Sequence, residues 1–169
     1  MNEQTRETLH SSKKLDYETP PALFNKLDRE FAFDLDAAAS KDNAKCEKYF
    51  TKENDALKYP WCALGAIWLN PPYGRNIGLW IEKAYQESQR QPYPVVCLIP
   101  ARTDTRCWWR WCMKADEIRF IKGRVTFVGC EHPAPFPSAI IVFRQTAHRT
   151  PKVSMYKYRK GRNNEYAKK

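Results

Sequence analysis

A chain of 169 residues is long enough for one domain with a sizeable core, and 43% hydrophobic residues with only 6 glycines exclude a low-complexity or fibrous polymer. Its 29 Lys and Arg against 19 Asp and Glu leave a formal charge of +10, which points to a polyanionic partner. No apolar run approaches the roughly 20 residues of a membrane helix and the first residues lack a signal-peptide pattern, so a soluble cytoplasmic protein without membrane contact is expected.

In chain order, residues 1–15 are polar, mixed in charge and without apolar periodicity, and read as a flexible arm. Asp16-Tyr17-Glu18-Thr19-Pro20-Pro21 introduces Ala22, Leu23, Leu27 and Phe31 at helical spacing, with Thr19 as N-cap and Pro20 at the first helical position. Phe31 to Asp36 reads as a strand ending in an acid, followed by a turn of small residues, Ala37 to Ser40. Asp34 and Asp36 compete as the functional acid; Asp36 is preferred, because alternation buries Phe31, Phe33 and Leu35 and leaves Asp36 at the edge. Tyr49-Phe50 suggests a second short strand, and Asp55 follows in a turn that it either caps or uses to present its carboxylate.

Ile67-Trp68-Leu69 is a buried strand stopped abruptly by Asn70-Pro71-Pro72-Tyr73-Gly74. Two prolines hold the backbone extended. They fix the Asn70 amide and the Pro71 carbonyl at the C-terminal edge of the strand, where open α/β sheets bind ligands. An amide oxygen and a carbonyl together accept both hydrogens of an aromatic amine, and Tyr73 offers a flat ring beside them. Residues 76–91 carry Ile77, Trp80, Ile81, Ala84 and Tyr85 on one helical face. Val95 to Pro100 is a second buried strand, so strand, helix and strand make a βαβ unit.

A helix capped by Thr103 or Asp104 then gathers Cys107, Trp108, Trp109 and Trp111, more tryptophan than one buried stripe needs. Residues 117–121 and 124–128 alternate or run apolar. A proline-rich loop over 129–137, around Phe136, leads to the strand 138–143. From 145 to 169 the chain is basic and reads as a tail, either solvated or phosphate-binding. The six cysteines form no CxxC pair; a zinc set from Cys107, Cys112, Cys130 and His132 can be drawn, but two of these fall in the aromatic helix. Reduced thiols and no metal are expected.

The ordered series Asp-Tyr-Glu-Thr-Pro, Phe-Asp-Leu-Asp-Ala-Ala-Ala, Glu-Asn-Asp-Ala-Leu, Trp-Leu-Asn-Pro-Pro-Tyr-Gly and Pro-Ala-Pro-Phe-Pro-Ser resembles the phage-type DNA N6-adenine methyltransferase family. The resemblance implies a single α/β, Rossmann-like class I methyltransferase domain over 16–144, with a mostly parallel central sheet, helices on both faces and an antiparallel C-terminal edge. It implies Asn70, Pro71, Pro72 and Tyr73 at a flipped adenine, and S-adenosylmethionine held by Tyr17, Thr19, Pro20, Asp36, Ala37 and Asp55. Duplex DNA is the implied partner, in a bacterial or phage-infected cell; from their charge Arg75, Arg102, Arg106, Lys122, Arg124 and the tail are expected to meet it, and the oligomeric state, monomer or weak dimer, stays open. This sequence departs from the family in lacking a Gly-rich donor turn and in having Tyr17 where tryptophan is frequent. RNA adenine, another amino acceptor, or DNA binding without catalysis are the alternatives.

Overall fold

The computed structural model describes residues 17–145 and 150–158. The expected arm, and residues 146–149 and 159–169 of the expected tail, lie outside them. The architecture is α/β. Helix α1 (Pro21–Phe31) is followed by β1 (Phe33–Asp36), β2 (Lys48–Tyr49) and β3 (Ala66–Leu69). Helix α2 (Ile77–Ser88), β4 (Val95–Pro100), helix α3 (Arg106–Arg110) and a 3-10 turn (Cys112–Lys114) come next. Strands β5 (Glu117–Ile121), β6 (Ser138–Phe143) and β7 (Lys152–Tyr156) complete the described chain. No helix among the described residues is long and apolar enough to cross a membrane.

The strands form one seven-stranded sheet in the order β2-β1-β3-β4-β6-β5-β7. Only the pairings of β6, with β4 and with β5, are antiparallel, so every other strand points the same way. The C-terminal ends of β1, β3, β4 and β5 and the start of β6 therefore share one edge. All the connections carrying expected site residues after α1 leave from that edge or run beside it.

Burial on both faces explains why β3 and β4 read as continuous apolar runs and do not alternate. Ile67, Leu69, Val95, Cys97 and Ile99 pack with Ile81 and Ala84 of α2 and Trp108 of α3. Trp68, Val96 and Leu98 pack on the opposite face with Leu23, Phe24 and Leu27 of α1. Ala32, in the left-handed region at φ 54, ends α1; its N–H donates to the Asp28 carbonyl at 2.8 Å, and the Asp28 carboxylate accepts from Phe33 N–H at 2.9 Å. The strand thus begins two residues later than its apolar pattern suggests.

Three expectations need correction. The first helix starts at Pro21, with Pro20 as N-cap and no side-chain cap, because the Pro20 carbonyl takes the N–H groups of Leu23 and Phe24 at 3.0 and 3.1 Å. Residues 152–156 of the expected tail are a strand, β7, paired parallel to β5 at the sheet edge. The outermost C-terminal pairing is therefore parallel, and the antiparallel pairs lie one strand further in. The short α3 is entered through Thr105, whose hydroxyl donates to the Arg102 carbonyl at 2.7 Å, and not through Thr103 or Asp104.

Gly65, just before β3, is required by space. A Cβ there would lie 3.0 Å from the Ala32 carbonyl oxygen and 3.1 Å from Asp34 Cβ, and backbone cannot give way cheaply. Gly65→Ala is expected to destabilise by roughly 1–3 kcal/mol, read as a lower urea midpoint with unchanged slope.

Candidate active site

Asn70 follows the last residue of β3, and the two prolines after it have no N–H with which to extend the ladder. Gly74 N–H closes onto the Pro72 carbonyl at 3.1 Å and Ile77 N–H onto the Gly74 carbonyl at 3.2 Å, which turns the chain into α2. The Asn70 Nδ2 group donates to the Tyr17 carbonyl at 2.5 Å and to Thr19 Oγ1 at 3.0 Å. A carbonyl can only accept, so the nitrogen must face Tyr17 and the orientation of the amide follows from chemistry. Asn70 Oδ1 is then turned away, buried, and without a hydrogen-bond partner among the described residues. A buried acceptor left unpaired costs about 1–3 kcal/mol, a cost that an incoming donor would relieve.

Asn70, Pro71 and Pro72 line a cavity of about 910 Å³ that also receives Asp36, Ala37 and Asp55. Asp36, at the end of β1, is only 2% exposed. Its two oxygens accept from Ala38 N–H at 3.2 Å and Lys45 N–H at 3.0 Å. Burial pushes its pKa above the ordinary carboxylate value, and these two N–H groups only partly offset that. Asp34 is engaged elsewhere, accepting from Leu64 N–H at 2.7 Å and from Lys48 Nζ at 3.0 Å, which together hold its pKa low. Of the two, Asp36 is thus the one that lines the cavity, and it does so as a buried residue.

Ala37 is fully buried and donates to the Trp68 carbonyl at 2.9 Å, so the small-residue turn forms a wall of the cavity. Asp55 has φ 42, accepts from Leu57 N–H at 3.3 Å and pairs with Lys58 at 3.1 Å, while also lining the cavity. Its two oxygens are thus held by the turn itself, in a residue that lines the cavity. Tyr17 and Thr19 line the cavity; Pro20 does not, being spent as the N-cap of α1.

The open ring face expected at Tyr73 is covered. Tyr17 stacks on it with centroids 5.3 Å apart and 28° between planes, and Phe127 and Phe136 meet it edgewise at 6.0 and 5.7 Å. Its hydroxyl donates to the Leu98 carbonyl at 3.1 Å, and burial raises the phenol pKa well above its usual value. Four rings therefore pack together beside the Asn-Pro-Pro turn.

Arg75, Arg102, Arg106, Lys122 and Arg124 are all exposed. They lie on connections leaving the C-terminal ends of β3, β4 and β5, three strand spacings apart, or about 14 Å, at the extremes. Trp109 on α3 is 65% exposed, while Trp108 beside it is buried in the core. Among the described residues no three His, Cys, Asp or Glu side chains converge as metal ligands would, so the drawn zinc set is not assembled.

Lys45 and Trp80 also line the cavity, and nothing in the sequence marks them as site residues. Lys45 sits in an irregular loop without periodicity, yet its side chain pairs with Glu18 at 2.9 Å across 27 residues. Trp80 carries only the signal of an apolar helix face.

The family model described as DNA N-6-adenine-methyltransferase (Dam) matches residues 6–165. A DNA N-6-adenine-methyltransferase of Escherichia phage T1 is 32% identical over 111 residues, covering 65% of this chain and 46% of that protein. The "Putative methyltransferase YfdM" of Escherichia coli (strain K12) is 38% identical over 63 residues, covering 34% of this chain and 69% of that protein. The match thus spans a little under half the length of the phage relative.

Proposed function

This chain belongs to the DNA N-6-adenine-methyltransferase family, and from that premise we propose that it transfers a methyl group from S-adenosylmethionine to the N6 amino group of adenine in DNA. The observation that carries the reading is the buried, unpartnered oxygen of Asn70, a residue that lines the same cavity as the buried Asp36. A neutral adenine amine is a poor nucleophile, because its lone pair is delocalised into the ring. Asn70 Oδ1 and the Pro71 carbonyl accept its two hydrogens, which favours a tetrahedral nitrogen with its lone pair directed outward.

The cavity fits the donor. Its volume of about 910 Å³ falls in the roughly 300–1,000 Å³ range of small-molecule sites, and it combines small apolar walls with a few polar groups. Asp36 would hold the donor's ammonium group and Asp55 its adenine amine, with Ala37 against its body. When bound, S-adenosylmethionine supplies an electrophilic methyl group on a sulfonium with a good leaving group. The protein then needs no nucleophile of its own: its residues position the amine and place dipoles around it. The proton lost from N6 passes to water.

Removing an adenine from the stack costs a few kcal/mol, and the aromatic cluster of Tyr17, Tyr73, Phe127 and Phe136 is the stacking surface that offsets it, once Tyr17 yields its place on Tyr73. Phosphates are met by Arg75, Arg102, Arg106, Lys122 and Arg124. If about four phosphates are neutralised, log affinity should fall against log salt with a slope near −4, and Arg102→Ala with Arg106→Ala should flatten it by about 2. Fluorescence anisotropy of a labelled duplex across salt concentrations checks this; a flat response removes the surface.

The direct test is to incubate the protein with labelled donor and duplex DNA, then digest to nucleosides. Label in N6-methyldeoxyadenosine is expected. Label only in RNA or in protein would move the acceptor, and failure to bind donor in calorimetry would leave a binding module.

A further inference from the structure

The short strap of residues 17–20 ahead of α1 touches the Asn70 amide twice, through the Tyr17 carbonyl and the Thr19 hydroxyl. We infer that Thr19 is a positioning residue for Asn70: with the Tyr17 carbonyl it clamps the amide so that Oδ1 faces the incoming amine. This rests on the methyl-transfer reading above.

The terminal torsion of an asparagine is broad and roughly two-fold. A single hydrogen bond restrains it weakly, and rotation by half a turn would present N–H groups to an amine that itself arrives with N–H groups. The Tyr17 carbonyl sets which end faces inward, because it accepts only. The Thr19 hydroxyl adds the second anchor, and two bonds to one nitrogen remove the swing that either alone would allow. Thr19 is 1% exposed, and its hydroxyl is directed to Asn70, 51 residues away, while α1 begins without a side-chain cap.

The strap is itself held from two sides. Val128 N–H donates to the Glu18 carbonyl at 3.0 Å, and Lys45 pairs with the Glu18 carboxylate at 2.9 Å. The orientation of Asn70 is thus built from the loop after β5 and the connection after β1, beyond the Asn-Pro-Pro turn that carries it.

The test compares T19V, close in shape but without the acceptor, with T19S, which keeps it. In T19V, kcat should fall about fivefold to tenfold while donor Kd by calorimetry stays within about twofold, and T19S should restore turnover to within about threefold of wild type. Unchanged kcat in T19V, or a weakened donor Kd with unchanged kcat, would overturn the inference, the latter making Thr19 a donor contact. A second readout needs no activity. The side-chain amide signal of Asn70, identified by its loss in N70A, should shift and exchange its hydrogens faster in donor-free T19V and stay in place in T19S. If the wild type labels no adenine, the methyl-transfer reading fails and the amide signal still decides whether Thr19 holds Asn70. If that signal is unmoved in T19V the clamp is absent, whatever the turnover. Melting curves check folding, and T19A replaces T19V if the valine methyl crowds the strap.

Discussion

Asn70→Ala is expected to lower the single-turnover rate of methyl transfer by about a hundredfold, the loss of roughly 3 kcal/mol that follows removal of one preorganised hydrogen-bond partner. Melting temperature should fall only modestly. The substitution deletes two hydrogen bonds, to Tyr17 and Thr19, worth about 0.5–1.5 kcal/mol each, but it also deletes a buried orphan acceptor that costs about 1–3 kcal/mol. These contributions oppose one another, and the buried Thr19 hydroxyl left without its donor adds about 1–3 kcal/mol, so a net loss of about 1–3 kcal/mol remains. At roughly 2–4 °C per kcal/mol for a domain of this size, a drop of about 10 °C or less follows. An ordinary buried asparagine would behave in the opposite way, with stability lost and turnover reduced only in proportion. Near-normal transfer in N70A would take Asn70 out of the chemistry, and a large drop in melting temperature would make its role structural.

The separation of effects at Asn70 also marks how far a sequence can be read. The strand Ala66–Leu69, its proline stop and the neighbouring Val95–Pro100 are legible because four and six consecutive buried residues leave an unmistakable apolar run. The bond from Thr19 to Asn70 is not, since no periodicity links residues 51 apart and a threonine before two prolines looks like a helix cap. Asp36 lines the cavity and Asp34 does not, but the alternation argument that separates them is incomplete. It places Asp36 at the edge, the end of the strand where it lies, but does not show that the carboxylate there is buried.

The strand Lys152–Tyr156 is hidden by its place at the rim. It is held by backbone pairing with β5, and Val153 and Met155 stay 60% and 57% exposed, so the strand has no run of buried apolar residues to mark it. The covered face of Tyr73 is unreadable for a related reason. Its stacking partner, Tyr17, comes from a segment 56 positions earlier whose own sequence shows only a turn before a helix. Local patterns encode the sheet and its edge. The groups that finish the site arrive from connections whose sequences encode nothing periodic.

Asp36→Asn is expected to weaken donor binding by about tenfold to a hundredfold, the range for losing a charged partner of a hydrogen bond, and to remove most of its pH dependence. The sign follows from burial. Because burial raises the folded pKa of Asp36 above the ordinary 3.8, the carboxyl gains its charge only as pH climbs through that raised value. The donor's ammonium stays charged throughout that window. Wild-type affinity should therefore increase with pH across it, while D36N stays flat.

Stability of the donor-free protein runs the other way. A raised carboxyl pKa means that the fold favours the protonated form, so Asp36's contribution is largest below 3.8 and is lost as pH rises through the folded value. The melting temperature of D36N minus that of wild type should thus grow from acid toward neutral pH. Calorimetric titration of S-adenosylmethionine and thermal melts over the same pH series measure both trends. A wild-type affinity that does not change with pH, or D36N binding the donor as tightly as wild type, would place the ammonium elsewhere in the cavity.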